Sequence, residues 1–437
     1  MRHLLISILF CTIHFSTLAQ NSDSLLSALQ NLQSQVNGLK NTEIVQSMSQ
    51  RSILMPSYFG ELKALIARQA YNFWLENDAN PLVSHLNLYS ALYYANKYLG
   101  YDSVYRKSYN EALGHTESVI SIQFGKDPDY FYSAGSDGRV LKWSLKSFGS
   151  PATVLYDGKH LIKSIEVSND DRYILVVTKN EGIILIDNNP SDREGLKSFT
   201  QDKELVQTAL FVPNELKLMI VTKAGDIKYK MFNSEEVIGN TTEQVSSAII
   251  NEENNKLFLG NTAGNLQIWE DTLAAKIYLQ ESFAINALAI NSDYTQLAIG
   301  REKGDVIIWD LKTESLIRTI SGHQSAITDL DFSPDDQMLL SASRDRTVRV
   351  WDVNNSRKLP LVLDDHNDWV LTACFDPSGE RIISGSRDNF IRFWPVKHEE
   401  LANRICDMIG RNLTRGEWEE YVGSEIPYKL TCPSVTE

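Results

Sequence analysis

The sequence predicts a mainly β fold assembled from repeats and flanked by helices. Three observations carry that expectation. A pattern about 42 residues long returns between residues 114 and 395. Within its copies apolar and polar residues alternate, as in Ile327, Asp329 and Asp331 against Thr328, Leu330 and Phe332, which is the period-two signature of strands. On either side of this stretch the spacing changes to that of helices.

Three segments align without gaps: GHTESVISIQF…SAGSDGRVLKWS (114–144), GHQSAITDLDFSPDDQMLLSASRDRTVRVWD (322–352) and DHNDWVLTACFDPSGERIISGSRDNFIRFWP (365–395). Each offers Gly-His or Asp-His, an alternating strand, a turn, and a second strand ending in Ser. An Asp turn and a third strand ending in Trp follow. Weaker copies lie between them. Residues 247–271 and 286–310 keep the strands and Trp269 or Trp309 but lack the His. Residues 163–187 and 207–231 keep only the strand pattern, with Ile186 and Tyr229 near the Trp position. The spacing of Trp143, Trp269, Trp309, Trp351 and Trp394 leaves room for these two degenerate copies, which makes seven units.

The Gly-His start, the SxSxD turn and the terminal Trp-Asp resemble the WD40 repeat, over residues 114–395. The resemblance implies a seven-bladed β-propeller, each blade four antiparallel strands around a central channel. It also implies that the ring closes when chain before the first repeat supplies the outer strand of the last blade, here from within 103–113.

His323, Ser341 and Asp345 are the residue types of a hydrolase triad. An enzyme needs one triad, whereas this constellation occurs three times: His115, Ser133, Asp137 with Trp143; His323, Ser341, Asp345 with Trp351; His366, Ser384, Asp388 with Trp394. In each copy Asp follows Ser by four residues and precedes Trp by six. The resemblance implies a hydrogen-bonded network inside each blade. Asp would accept from the imidazole and turn amides, and Ser would link imidazole to indole, so that buried polar groups satisfy one another. No G-x-S-x-G elbow, phosphate loop, H-E-x-x-H or C-x-x-C motif occurs. His85, His160 and His398 are scattered, so neither catalysis, a metal nor a cofactor is expected.

The flanks read as helical. Leu25, Leu29, Leu32, Val36 and Leu39 form a stripe over about two heptads. Residues 61–77 and 81–100 read as a hairpin, with Asn80 a cap, Pro81 in the first turn and Gly100 at the stop. Its aromatics, Tyr71, Phe73, Trp74, Tyr89, Tyr93 and Tyr94, are read as filling a seam against the propeller, with a partner-binding groove as the alternative. After Trp394, residues 400–433 hold a Thr414–Glu417 capping box for a short helix. These flanks are similar to those of propellers at the C-terminus of bacterial STAND-type signalling ATPases, where the propeller is the sensor. The ATPase domain is absent here, which leaves a sensor-like module.

Residues 1–19 read as a secretory signal peptide. Arg2 and His3 precede an apolar run from Leu4 to Ile13, and Thr17-Leu18-Ala19 supplies a cleavage site after Ala19. A lipoprotein signal acylated at Cys11 is the alternative. The expected divisions are therefore a 1–19 leader, a 20–102 helical region, a 103–396 propeller and a 397–437 helical extension. No later segment is apolar over the length needed to span a bilayer. The formal charge is −14, becoming −15 without Arg2, which argues against nucleic acid or an anionic membrane as the main partner. Cys374 sits in a strand-like run and reads as a small buried hydrophobe. Cys406 and Cys432, 26 residues apart, are a disulfide candidate in an oxidising compartment, with two free thiols the alternative.

Together these readings give an exported, most simply periplasmic, protein-binding scaffold or sensor. Ser136, Arg344, Arg346, Trp369 and Arg387 stand beside the network positions and are the candidate partner contacts, because Arg and Trp often become interface hot spots. In so acidic a chain, clustered arginines imply an acidic patch on the partner. The alternatives are a structural subunit of an envelope assembly or secretion complex, and a propeller enzyme acting on glycan or peptide. The enzyme would need convergent carboxylates at the channel mouth, and the sequence shows no sign of them.

Overall fold

The computed structural model describes residues 42–435 apart from 77–84, 100–109, 147–150, 181, 189–195, 199–204, 214, 216, 232–233, 242–243, 270–275, 281 and 356–358. The leader, the leucine stripe at 25–39, Asn80, Pro81 and Gly100 therefore lie outside the described residues. The chain divides into two compact units, Lys107–Lys397 and a second made from Met1–Arg106 with His398–Glu437.

The first unit is a seven-bladed propeller. Its blades run Val119–Asp157, Ile162–Ser198, Val206–Asn240, Val245–Gln280, Ile285–Ser321, Ile327–Leu363 and Val370–Pro395. The sequence pattern explains each blade. An alternating first strand is followed by an apolar second strand, such as Tyr173–Thr178, which is buried at every position because it is sandwiched between neighbouring blades. The first strands of successive blades touch one another around the ring, and the last touches the first, so they form the inner wall.

Glu111–Leu113 pairs antiparallel with Phe390–Pro395 as the outer strand of blade 7, within the stretch expected to close the ring. Arg392 and Glu111 form a 2.6 Å ion pair across this closure, with only 3% of the arginine side chain exposed. Apolar layers fill the space between blades. Ala298, Val306 and Ile308 of blade 5, for example, meet Ile327, Leu330, Leu339 and Trp351 of blade 6. Each such buried aliphatic side chain stabilises by about 1.5–3 kcal/mol relative to exposure. In blade 3 the ladder sets Lys230 opposite Leu218, where blades 4 and 5 have Trp, and Tyr229 falls one place earlier.

The second unit is helical: α1 (42–54), α2 (Gly60–Glu76), α3 (His85–Leu99), α4 (His398–Met408) and α5 (Arg415–Tyr421). The two flanking regions read as separate from sequence thus fold together. Thr414 and Glu417 form the reciprocal capping box at the start of α5. The hairpin aromatics find partners in the C-terminal segment. Trp74 stacks on His398 with ring centres 5.3 Å apart, and Phe73 meets Trp418. Tyr71, Phe73, Tyr89 and Tyr93 are buried, so they do not line an open groove. Cys406 and Cys432 are disulfide-bonded with Cα atoms 5.4 Å apart, tying α4 to the tail. No helix among the described residues is long and apolar enough to cross a membrane.

Candidate functional site: the repeated network and the face beside it

The three full repeats share one hydrogen-bonded relay. In blade 6, His323 Nδ1 lies 2.8 Å from Asp345, its Nε2 lies 2.7 Å from Ser341 Oγ, and the Trp351 indole donates to that same oxygen at 2.8 Å. Blade 1 repeats this with His115, Asp137, Ser133 and Trp143 at 3.0, 2.8 and 2.7 Å. Blade 7 repeats it with His366, Asp388, Ser384 and Trp394 at 3.0, 2.8 and 2.8 Å. One assignment of protons satisfies every atom. The indole donates to Ser, the Ser hydroxyl donates to Nε2, and Nδ1–H donates to the carboxylate. The imidazole is then neutral.

The electrostatics agree with that assignment. Burial lowers the pKa of all three histidines, outweighing the attraction of their aspartates. Burial alone would raise the aspartates, but the histidine bonds and turn amides reverse that and hold Asp388 down at about 2 and Asp345 lower still. The amides of Gln324 and Asn367 each donate to these carboxylates, so each Asp also pins the loop that enters the first strand. The serines are fully buried, so no substrate can reach them. Three copies of a closed relay cement three blades.

The same turns present residues to one end of the ring. Before each first strand, a backbone carbonyl accepts from the turn between the second and third strands: Ser136 to Ser118, Arg344 to Ala326, Arg387 to Trp369, and likewise in every other blade. Ser136, Arg344 and Arg387 thus occupy one equivalent position. Trp369, 38% exposed, lies between the two arginines, whose guanidinium carbons stand 5.1 and 5.0 Å from its ring centre. The structure therefore brings Arg344, Trp369 and Arg387 together, with Glu302 3.9 Å from Arg344 and Asp368 3.7 Å from Arg387. Ser136 and Arg346 are not part of the stack. Arg346 has a positive φ of 73°, at the turn position where Gly138, Gly225, Gly264 and Gly304 stand in other blades.

The structure also shows what the repeat pattern did not reveal. At the opposite end of the ring, a cavity of about 370 Å³ between blades 2, 3 and 4 is lined by Glu166, Asp170, Glu215, Glu252 and Tyr173 among others. Burial raises the Glu166 carboxyl to about 8 despite an amide hydrogen bond from Phe211, and Glu252 adds to the effect. The sequence shows no sign of these carboxylates beforehand. They come from different blades, so no local motif could mark them. No group of three or more potential metal-ligating residues is found among the described residues.

A ring of seven four-stranded blades, three of them locked by a His–Ser–Asp–Trp relay, defines a repeat β-propeller. The family profile "WD domain, G-beta repeat" matches residues 107–144, 314–352 and 357–395, and the chain carries WD40 repeats on a seven-bladed propeller. It is 32% identical over 111 residues to human WD repeat and SOCS box-containing protein 1, covering 24% of this chain and 26% of that one. It is 26% identical over 278 residues to periodic tryptophan protein 2 of Arabidopsis thaliana, covering 55% and 31%. It is 22% identical over 245 residues to the WD repeat domain-containing protein 83 homolog of Dictyostelium discoideum, covering 54% and 70%. The match thus spans about a quarter of the length of the first of these relatives. WD-repeat propellers generally serve as non-catalytic platforms for protein partners.

Proposed function

We propose that this protein is an exported scaffold or sensor that binds a protein partner on the end of the propeller where the first strands begin. The observation that carries the reading is Trp369, partly exposed and held between Arg344 and Arg387. Flanking guanidinium groups fix the indole in place, so an incoming surface meets it with little ordering still to be done. Arg346 supports the same face. A non-glycine residue at positive φ costs roughly 1–2 kcal/mol, and such strain gathers at functional sites.

Export rests on the leader-like residues 1–19, and the Cys406–Cys432 bond suits an oxidising, most simply periplasmic, compartment. Capture from an envelope extract on immobilised protein, compared with Arg344→Ala/Arg387→Ala, tests the reading. Loss of the captured partner in the variant is expected, and an unchanged set of captured proteins would overturn it.

The carboxylate cavity favours a second reading, a propeller enzyme with Glu166 as a general acid, because Glu166 is held protonated at neutral pH. Glycan or peptide hydrolysis that Glu166→Gln abolishes would establish it.

A further inference from the structure

The turn position that carries Arg344 and Arg387 in blades 6 and 7 carries Lys179 and Lys223 in blades 2 and 3. Lys179 donates its amide to Leu161, and Lys223 donates to Leu205, as Arg387 does to Trp369. Leu161 and Leu205 are each 42% exposed, close to the exposure of Trp369, so these three blades set a basic turn beside an exposed apolar side chain. Lys163 stands on the first strand of blade 2 (Ile162–Val167), just inside the channel from this end. Its ammonium donates to the carbonyls of Val206 and Gln207, and no carboxylate among the described residues pairs with Lys163, Lys179 or Lys223. Burial lowers the Lys163 pKa, and the charges of Lys223 and Lys179 lower it further. A half-buried ammonium with two like charges nearby and no counter-charge is costly to leave unmatched.

Blades 2 and 3 lie across the channel mouth from blades 6 and 7, so two cationic, partly apolar anchors face each other on a protein of formal charge −14. The carboxylates of the acidic cavity are at the far end of the same blades. Lys163, Lys179, Lys223, Arg344 and Arg387 thus share the end away from that cavity.

We propose that this end binds an extended acidic segment of a partner protein, laid across the channel mouth, with carboxylates on Lys163, Lys179 and Lys223 as well as on Arg344 and Arg387. The inference rests on the docking face proposed above and adds the partner's chemistry and its second anchor. Leu161, Leu205 and Trp369 select a peptide over a bare phosphate, which has nothing apolar to set against them. The segment therefore carries Leu, Ile or Phe among its Asp and Glu residues.

The test pans a display library of random twelve-residue peptides against the full chain and measures the enriched peptides by fluorescence anisotropy. Enriched sequences should be acidic and apolar, and should weaken at higher salt. Both Lys179→Glu/Lys223→Glu and Arg344→Ala/Arg387→Ala should cost them about tenfold or more in affinity. Lys179 and Lys223 are exposed turn residues, so that variant should fold, and circular dichroism checks it. Full affinity in Lys179→Glu/Lys223→Glu with loss in the arginine variant would overturn this inference and leave the docking face standing. Full affinity in both would overturn both. Enrichment of neutral or basic peptides, of none, or equal competition by inorganic tripolyphosphate would each overturn the acidic-peptide assignment.

Discussion

Trp351 donates its indole N–H to Ser341 at 2.8 Å, whereas Trp309, at the same place in the preceding blade, finds no acceptor among the described residues. The difference lies in the second strand. Ser341 is replaced in blade 5 by Ile299, which leaves nothing to accept the indole. Ser341→Ala should reproduce that deficit in blade 6 and also strip His323 Nε2 of its donor. Leaving one buried polar group unsatisfied costs about 1–3 kcal/mol, so a loss of about 2–4 kcal/mol is expected. Urea unfolding of the variant measures it, and a change below about 0.5 kcal/mol would show that the relay is not cement.

The relay also sets an acid limit. His323 and His366 titrate below their unfolded value of 6.5, and Asp388 falls from 3.8 to about 2, so the unfolded chain takes up protons first. Stability from these groups is complete above pH 6.5 and declines as pH falls from there toward 2. Buried carboxyls act in the opposite sense. Burial raises Asp331 to about 7 and Asp329 to about 6, with Asp329 adding to the effect on Asp331. Their contribution is complete below the unfolded value near 3.8 and is lost as pH rises through 7. Both accept amides of blade 7, Asp331 from Phe375 and Asp329 from Ala373. Asp331→Asn keeps an acceptor and removes the charge, so it should stabilise the propeller at pH 8 by about 1–3 kcal/mol and do nothing at pH 4. Thermal melts at the two pH values decide the matter.

Ring closure depends on the buried pair Arg392–Glu111. Glu111→Ala would take from the buried Arg392 guanidinium the carboxylate it pairs with across the closure, a change that typically costs about 3–5 kcal/mol. Protease should then release the segment around Glu111–Leu113 earlier than any strand of blades 1 to 6. Equal protection in variant and parent would show that the clasp closes without the pair.

The Cys406–Cys432 bond closes a loop of 26 residues in the helical unit. Chain entropy assigns such a closure about 3 kcal/mol, so Cys406→Ser with Cys432→Ser should lower that unit's unfolding midpoint by about that free energy. Reduction of the parent protein should do the same, and the tail holding Lys429, paired with Glu76, should lose hydrogen-exchange protection.

How much of this was legible depended on whether the signal repeats. The relay was readable because the spacing of Ser341, Asp345 and Trp351 recurs at Ser133 and at Ser384. The closing strand followed from the ring itself. Lys179 and Lys223 were missed because blades 2 and 3 lack His and Trp, although aligning their turns with Arg344 and Arg387 would have found them. Glu166 and Glu252 converge only through tertiary packing, across three blades. Trp74 and Tyr89 meet His398, more than 300 residues away in sequence, and no local periodicity encodes such a partner.

Arg346 separates folding from binding at the face itself. It holds φ of 73° where four blades have glycine and blade 7 has Asn389, a residue that tolerates this region. If only the fold used the position, glycine would serve better. Arg346→Gly should therefore stabilise blade 6 by about 1 kcal/mol, since it relieves strain that outweighs the added freedom of the unfolded chain. The same variant should weaken capture of the partner, because it removes a cation two residues from Arg344 in the same turn. Chemical denaturation and a pull-down on one preparation measure both quantities. A more stable protein that binds as before would remove Arg346 from the docking face and leave Arg344, Trp369 and Arg387 to carry it.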